Sequence, residues 1–526
     1  MSSEKRTLKN NSTTSSKNMK NTRFNVLSSM STIFKNTISW IRLNPYTFVF
    51  ILFLFIVFSI LRFYRFYEFV TFLGDQGRDA IIVKRIAMFE KFAAIGPPSS
   101  IGQVFLGPFF YYLMAPFLLI ARFNPVGMGI GVAVMSLAGL LYCVLVIRNT
   151  INIQTALIFA MFVGFSFIQI ELARFAWNPN LLPLASFLTL YSFYLVLKHQ
   201  SIKHSFIFGL LIGIIFQFHH LAFLLMPVIL LFSVKHVWLE RKHYTHYLKI
   251  IGSAFVAYVI VSLPIILFDI KNKFINSKSF FNVFTQKDLV SDESYSGRFV
   301  STVQTFIHHT LQYDMSPQIS LIIFFLIICT AFYLIMKYKP HILVSLCTVH
   351  VLLYILFFSL LSSPRYPHYY APVYYAFYFI VAYIFATLLQ KSKLTYIFLV
   401  LFFSIYVYTN SQEYFFITHY GNNQITKARE IAESILPNVN KIPFQIVSIP
   451  STETDGHVRY FLETGGKTPL PEESAQQPEI IIVLCYEKEC QVVANPQWQL
   501  ASFSNGKVEK KWKYDNITIY KVIHDK

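Results

Sequence analysis

The sequence predicts an α-helical polytopic membrane protein that carries a small C-terminal α/β domain. Three observations predict it. The 526 residues are 55% hydrophobic and only 13% charged, whereas soluble domains are nearer a quarter charged. Repeated runs of about 20 apolar residues match a ~30 Å hydrocarbon core at about 1.5 Å rise per residue. Beyond residue 410, charge returns and short β-rich runs replace the long apolar ones. No succession of short alternating segments suggests a β-barrel.

Residues 1–44 are rich in Ser, Thr, Asn and Lys and lack the short apolar core of a signal peptide. They read as a disordered basic tail. Candidate spans follow at 45–66, 126–147, 151–170, 180–197, 205–218, 220–234, 250–268, 319–336, 341–361, 371–389 and 394–409. The apolar stretch 104–121 carries Pro108 and Pro116. Proline inside a helix removes a hydrogen bond and kinks it, so a re-entrant or interfacial element is expected there. The domains are thus 1–44 (tail), 45–410 (membrane domain, about 11 spans plus that element) and 411–526 (α/β domain).

Charge sets the expected orientation. With the tail in the cytoplasm, the connectors at 148, 198–203, 235–249, 337–339 and 391–393 all fall inside, as the positive-inside rule asks. Counting 104–121 as a full span spoils this pattern. The same parity makes the C-terminal domain extracytoplasmic and the protein a multi-pass protein of the cell membrane. In that domain "KAREIAESIL" has helical period, and "PFQIVSIP", "EIIIVLCY" and "ITIYKVI" read as strands. The net charge of +19 belongs to the membrane part. No folded basic domain exists to carry nucleic acid, so that partner is set aside. Cys143, Cys329 and Cys347 lie in apolar helices as packing residues. Cys485 and Cys490 are the candidate disulfide pair, bonded or not. No zinc spacing and no cofactor signature is evident.

Four polar clusters fall on the outer side by this parity. In "GDQGRDA", a helix starting near Gly74 puts Asp75, Arg78 and Asp79 on one face. Asp75 or Asp79 can serve as a general base and Arg78 can orient an anion. The plainer reading is Asp75 as an N-cap, with Arg78 and Asp79 solvating the interface. "ARFAWNPNLLP" offers Arg174, Asn178 and Asn180, as site residues or as an ordinary loop. "GIIFQFHHLAF" offers Gln217, His219 and His220, as substrate contacts or as a polar helix break. Two neighbouring histidines point about 100° apart on a helix, so a shared metal is not expected. "SSPRYPHYYAP" offers Arg365, Tyr366, His368 and Tyr369, as donors to a lipid phosphate or as an aromatic belt with an anchoring Arg.

The order of these motifs resembles the GT-C superfamily of integral-membrane glycosyltransferases. The branch of protein O-mannosyltransferases and lipid A aminoarabinose transferases is the most similar. An acidic motif in the first external loop stands here as Asp75-Gln76, where the branch commonly has Asp-Glu. "GPFFYYLMAPFLLI", "ARFAWNPNLLPL", "GLLIGIIFQFHHLAFLLMP" and "SSPRYPHYYAP" follow in the branch's order, over roughly 45–410. The resemblance implies transfer of a sugar, with inversion, from a polyprenyl-phosphate donor to an outer-face acceptor: a glycolipid, polysaccharide or protein. By position it implies Asp75 as the catalytic carboxylate, with Asp79 compensating for the Glu that Gln76 replaces. It also implies Arg365 and Tyr366 as holders of the lipid phosphate. The competing reading is a transporter or flippase without chemistry. The broken, repeated halves usual in transporters are not visible here.

Overall fold

The structure, a computed structural model, describes residues 39–99, 104–239, 244–285, 294–339, 341–439, 442–472, 474–503 and 505–525. Most of the expected tail, 1–38, lies outside the described residues. The chain forms two compact units, Met1–Phe58 and Ser59–Lys526. Everything discussed below as a site lies in the second.

Among the described residues, 8 helices are long and apolar enough to cross a membrane. Four shorter apolar helices accompany them: Phe109–Ile120, Ile153–Phe165, Ile202–Phe218 and Ile342–Phe358. Every expected span coincides with a helix or a pair of helices. The stretch 104–121 forms only the 12-residue helix Phe109–Ile120, with Pro116 inside it. At about 18 Å long it is shorter than a hydrocarbon core. The expected span 151–170 is broken at Ser166, whose extended backbone ends one helix. Its hydroxyl accepts the Gln169 amide to start the next, Phe167–Leu172. A serine that can cap a new turn competes with helix continuation.

Burial separates two kinds of helix. Residues 371–382, in the helix that follows the "PRYPHYY" loop, are buried throughout. By contrast, helix Tyr244–Lys271 exposes Ile251, Phe255, Ile260 and Leu267. A soluble protein would hide such a continuous apolar stripe; in a bilayer it meets lipid.

The C-terminal part is a four-stranded sheet of order β1-β2-β4-β3: Phe444–Ile449, Ile480–Cys485, Ile517–His524 and Gly506–Tyr514. β1 and β2 are parallel, and their crossover contains helix Gly456–Thr464. β4 pairs antiparallel with β2 and with β3. One face of the sheet buries Val447, Ile481, Val483, Leu500 and Val522. Cys485 and Cys490 are disulfide-bonded at the edge of this cluster.

Helix Gly456–Thr464 positions the site. It packs against the helix Gly74–Ala87 that follows the first span, hereafter the loop helix. Glycines make this approach possible. A Cβ on Gly77 would lie 2.2 Å from the Gly456 carbonyl carbon, and one on Gly456 would lie 2.3 Å from the Gly74 carbonyl oxygen. Around the glycines, Arg85 donates to Glu463 at 2.7 Å and Tyr460 donates to the Phe123 carbonyl at 2.6 Å. Phe72 also meets the rings of Tyr460 and Phe461 edge-on.

Candidate functional site

The loop helix begins at Gly74, with Leu73 as its N-cap. Asp75 is therefore not the cap. Gln76, at the third helical position, turns its side chain back to accept the Leu73 amide at 3.1 Å and is buried. This is half of a capping box, and it commits the Gln76 side chain to the helix start.

Asp75, Arg78 and Asp79 do share one face. Arg78 donates Nη1 to Asp75 Oδ1 at 2.8 Å and Nη2 to Asp79 Oδ1 at 2.8 Å. The Tyr111 hydroxyl donates to the same Asp79 oxygen at 3.0 Å. The two carboxylates differ in environment. The Asp75 side chain is 54% exposed and Asp79 only 1%. Burial pushes the Asp79 carboxyl up to about 6, against the opposing pull of Arg78 and Tyr111. The buried Asp79 Oδ2 has no hydrogen-bond partner among the described residues.

Asp75 and Arg78 open onto a cavity of about 400 Å³ between the loop helix and the C-terminal domain. Its far wall holds Thr454, Asp455, Arg459 and Glu463. Arg459 pairs with Asp455 at 2.7 Å and donates to the Leu470 carbonyl at 2.9 Å, tying down the loop that forms the rim.

The other clusters meet one another. Trp177 and His368 lie ring to ring at 4.6 Å, and His219 contacts the rings of His368 and Tyr369 at 5.8 and 5.4 Å. Tyr366 stacks on His368 and is exposed. Asn178 donates to the Phe218 carbonyl at 2.5 Å, closing the end of helix Ile202–Phe218, and Asn180 donates to the Phe175 carbonyl. His219 Nδ1 accepts the Leu221 amide, while His220 turns the other way. With Gln217 and Asp269, His220 lines a separate cavity of about 200 Å³. The two histidines thus diverge, but through the extended backbone of His219 and not along a helix.

The two arginines of these clusters are committed to backbone. Arg174 is buried and donates to the carbonyls of Leu61, Arg62 and Tyr64 at 2.9–3.1 Å, with its guanidinium 4.1 Å over Phe416. It closes the end of the first span. Burial lowers its pKa to about 10. Arg365 donates to the carbonyls of Ser363 and Leu361 at 2.7 and 3.0 Å and lies 4.6 Å over Phe358.

The expected convergence is therefore partial. Three clusters touch directly. The carboxylates join them through one turn of helix Phe109–Ile120: Tyr111 bonds Asp79, while Phe109 and Phe110 contact Phe218 beside His219. The sequence reading passed over Tyr111, seeing only a Pro-aromatic segment. It also missed Asp455 and Arg459, although their i, i+4 spacing is the mark of a helical ion pair.

Comparison with known proteins bears on this arrangement. Residues 106–266 match the family model described as dolichyl-phosphate-mannose-protein mannosyltransferase. This segment and the fold together support one class, the GT-C integral-membrane glycosyltransferases. Among solved structures the chain is similar to ArnT from Cupriavidus metallidurans bound to undecaprenyl phosphate. The TM-score is 0.59 at 12% identity, over 91% of this chain and 98% of that one. ArnT in the apo state gives a TM-score of 0.58 at the same identity and coverage. At such identity the likeness shows the fold. No curated protein matches the sequence.

Proposed function

We propose that the protein transfers a sugar, with inversion, from a polyprenyl-phosphate donor to an acceptor on the outer face of the cell membrane. The observation that carries this is the pair of unlike carboxylates on one arginine: exposed Asp75 and buried Asp79, both held by Arg78 at the mouth of a cavity. Asp75 takes the proton of the acceptor hydroxyl as its oxygen attacks the anomeric carbon. The bond from that carbon to the phosphate oxygen breaks on the opposite face, and polyprenyl phosphate leaves with the electron pair. Arg78 fixes the base, and Asp79 with Tyr111 fixes Arg78. Arg365 and Tyr366, at the mouth of the aromatic cluster, hold the leaving phosphate; Arg365 exchanges its loop carbonyls for the anion.

The donor class is supported by ArnT, which was bound to undecaprenyl phosphate. The orientation, with N-terminus cytoplasmic and C-terminal domain outside, rests on the Lys-rich connectors. It fits the packing of the C-terminal domain on the loop helix, which puts both on one side. The test is to incubate the purified protein with a panel of polyprenyl-phosphate sugars and measure polyprenyl phosphate released. Release from one donor is expected. Neither release nor binding of any donor overturns the reading in favour of a transporter.

A further inference from the structure

We propose that the cleft between the loop helix and helix Gly456–Thr464 is an acceptor subsite for an uncharged, hydroxyl-rich saccharide. The inference rests on the transferase reading above and adds the chemical class of the acceptor.

The cleft's charge comes first. Each guanidinium on its wall is already matched: Arg78 with Asp75 at 2.8 Å, Arg85 with Glu463 at 2.7 Å, Arg459 with Asp455 at 2.7 Å. Glu472 adds a carboxylate to the rim. Three guanidinium groups thus stand against four carboxylates, a net charge of −1 among these side chains. A phosphate or carboxylate on the acceptor would enter a negative lining whose cations are spent, and pay Coulomb repulsion. A hydroxyl meets the opposite situation. Each paired edge presents a charged donor beside a charged acceptor, so a sugar hydroxyl can bond in both directions.

Shape and surface agree. Ile81, Ile82, Pro469 and Pro471 supply apolar faces between the polar edges, matching the C–H faces of a sugar ring. Thr454 and Thr468 add hydroxyls. The volume of about 400 Å³ lies in the range of small-molecule sites. The base candidate Asp75 lines the same cleft, so a saccharide seated there brings a hydroxyl to it. The C-terminal domain then acts as half of the acceptor site, not as an appendage.

The experiment uses the full chain in lipid nanodiscs, free of glycoside detergents. Saturation-transfer NMR is recorded with methyl hexosides, neutral disaccharides, a hexose 1-phosphate and a hexose 6-phosphate. A second protein carries Thr468→Trp, a change at an exposed rim position, with its thermal unfolding measured alongside. Saturation of neutral saccharides, weakened roughly tenfold by the indole that fills the cleft, is the expected result. No saturation of any neutral saccharide, or saturation indifferent to Thr468→Trp in a folded protein, overturns the proposal. Stronger saturation of the phosphates than of the neutral sugars also overturns it. Release of polyprenyl phosphate by the wild type reports the transferase reading separately. That reading can therefore fail while the cleft still binds sugar, or hold while the cleft does not.

Discussion

Gly77 of the loop helix and Gly456 of the C-terminal domain meet backbone to backbone, with no room for a β-carbon on Gly77. The contact atoms are main chain, so no side chain can swing away. Gly77→Ala therefore has to part the two helices, at a cost of about 1–3 kcal/mol. Thermal unfolding should show the loss, and donor turnover should fall with it, because the same helix carries Asp75.

Arg174 gives a prediction that separates architecture from chemistry. Arg174→Met leaves the Leu61, Arg62 and Tyr64 carbonyls without their shared donor. Unmet buried acceptors cost about 1–3 kcal/mol each, so the variant should unfold at markedly lower temperature. The KM for donor, measured below that temperature, should stay near the wild-type value.

Asp79 makes stability depend on pH. Its folded-state value, about 6, lies above the ordinary 3.8. A raised carboxyl favours the folded state while protonated. The contribution is full below about pH 4 and is lost as pH rises through 6, amounting to about 3 kcal/mol. Unfolding profiles across this window should therefore decline more steeply for the wild type than for Asp79→Asn, whose amide does not titrate. Equal slopes would contradict the buried, ionisable Asp79 described above.

The Cys485–Cys490 bond closes a short loop beside the sheet core, with a sequence separation of 5. Reduction should cost about 2 kcal/mol by chain entropy. It should lower the unfolding temperature modestly without abolishing donor turnover, because the loop helix packs on a different element, Gly456–Thr464.

Much of this was legible in the sequence, for reasons that can be stated. Long apolar runs mark helices because the bilayer demands length, and each expected span is a helix. β1, β2 and β4 read as strands because they alternate or are wholly apolar. β3, "GKVEKKWKY", escaped because its lysines mask the alternation; they suit an exposed edge that must not pair with another chain. Asp75, Arg78 and Asp79 were legible through helical spacing. The helix-start role of Gln76 was not legible because a capping box is usually announced by Ser or Thr, and Leu73 stands there instead. Arg174 read as a site residue or as part of an ordinary loop; its actual partners are backbone carbonyls about 110 positions away. The joining of the loop helix to Gly456–Thr464 depends on residues nearly four hundred positions apart, which no local pattern records.

The proposed reaction turns on Asp75 removing the acceptor proton in transfer from a polyprenyl-phosphate sugar. The most direct measurement compares release of polyprenyl phosphate by the wild type, Asp75→Asn and Asp79→Asn on the donor that the wild type uses. Asp75→Asn should lower turnover by about 10²-fold or more, as loss of a general base does. Asp79→Asn should lose less, because an amide oxygen can still accept from Arg78 and Tyr111. Full turnover in Asp75→Asn would rule out Asp75 as the base.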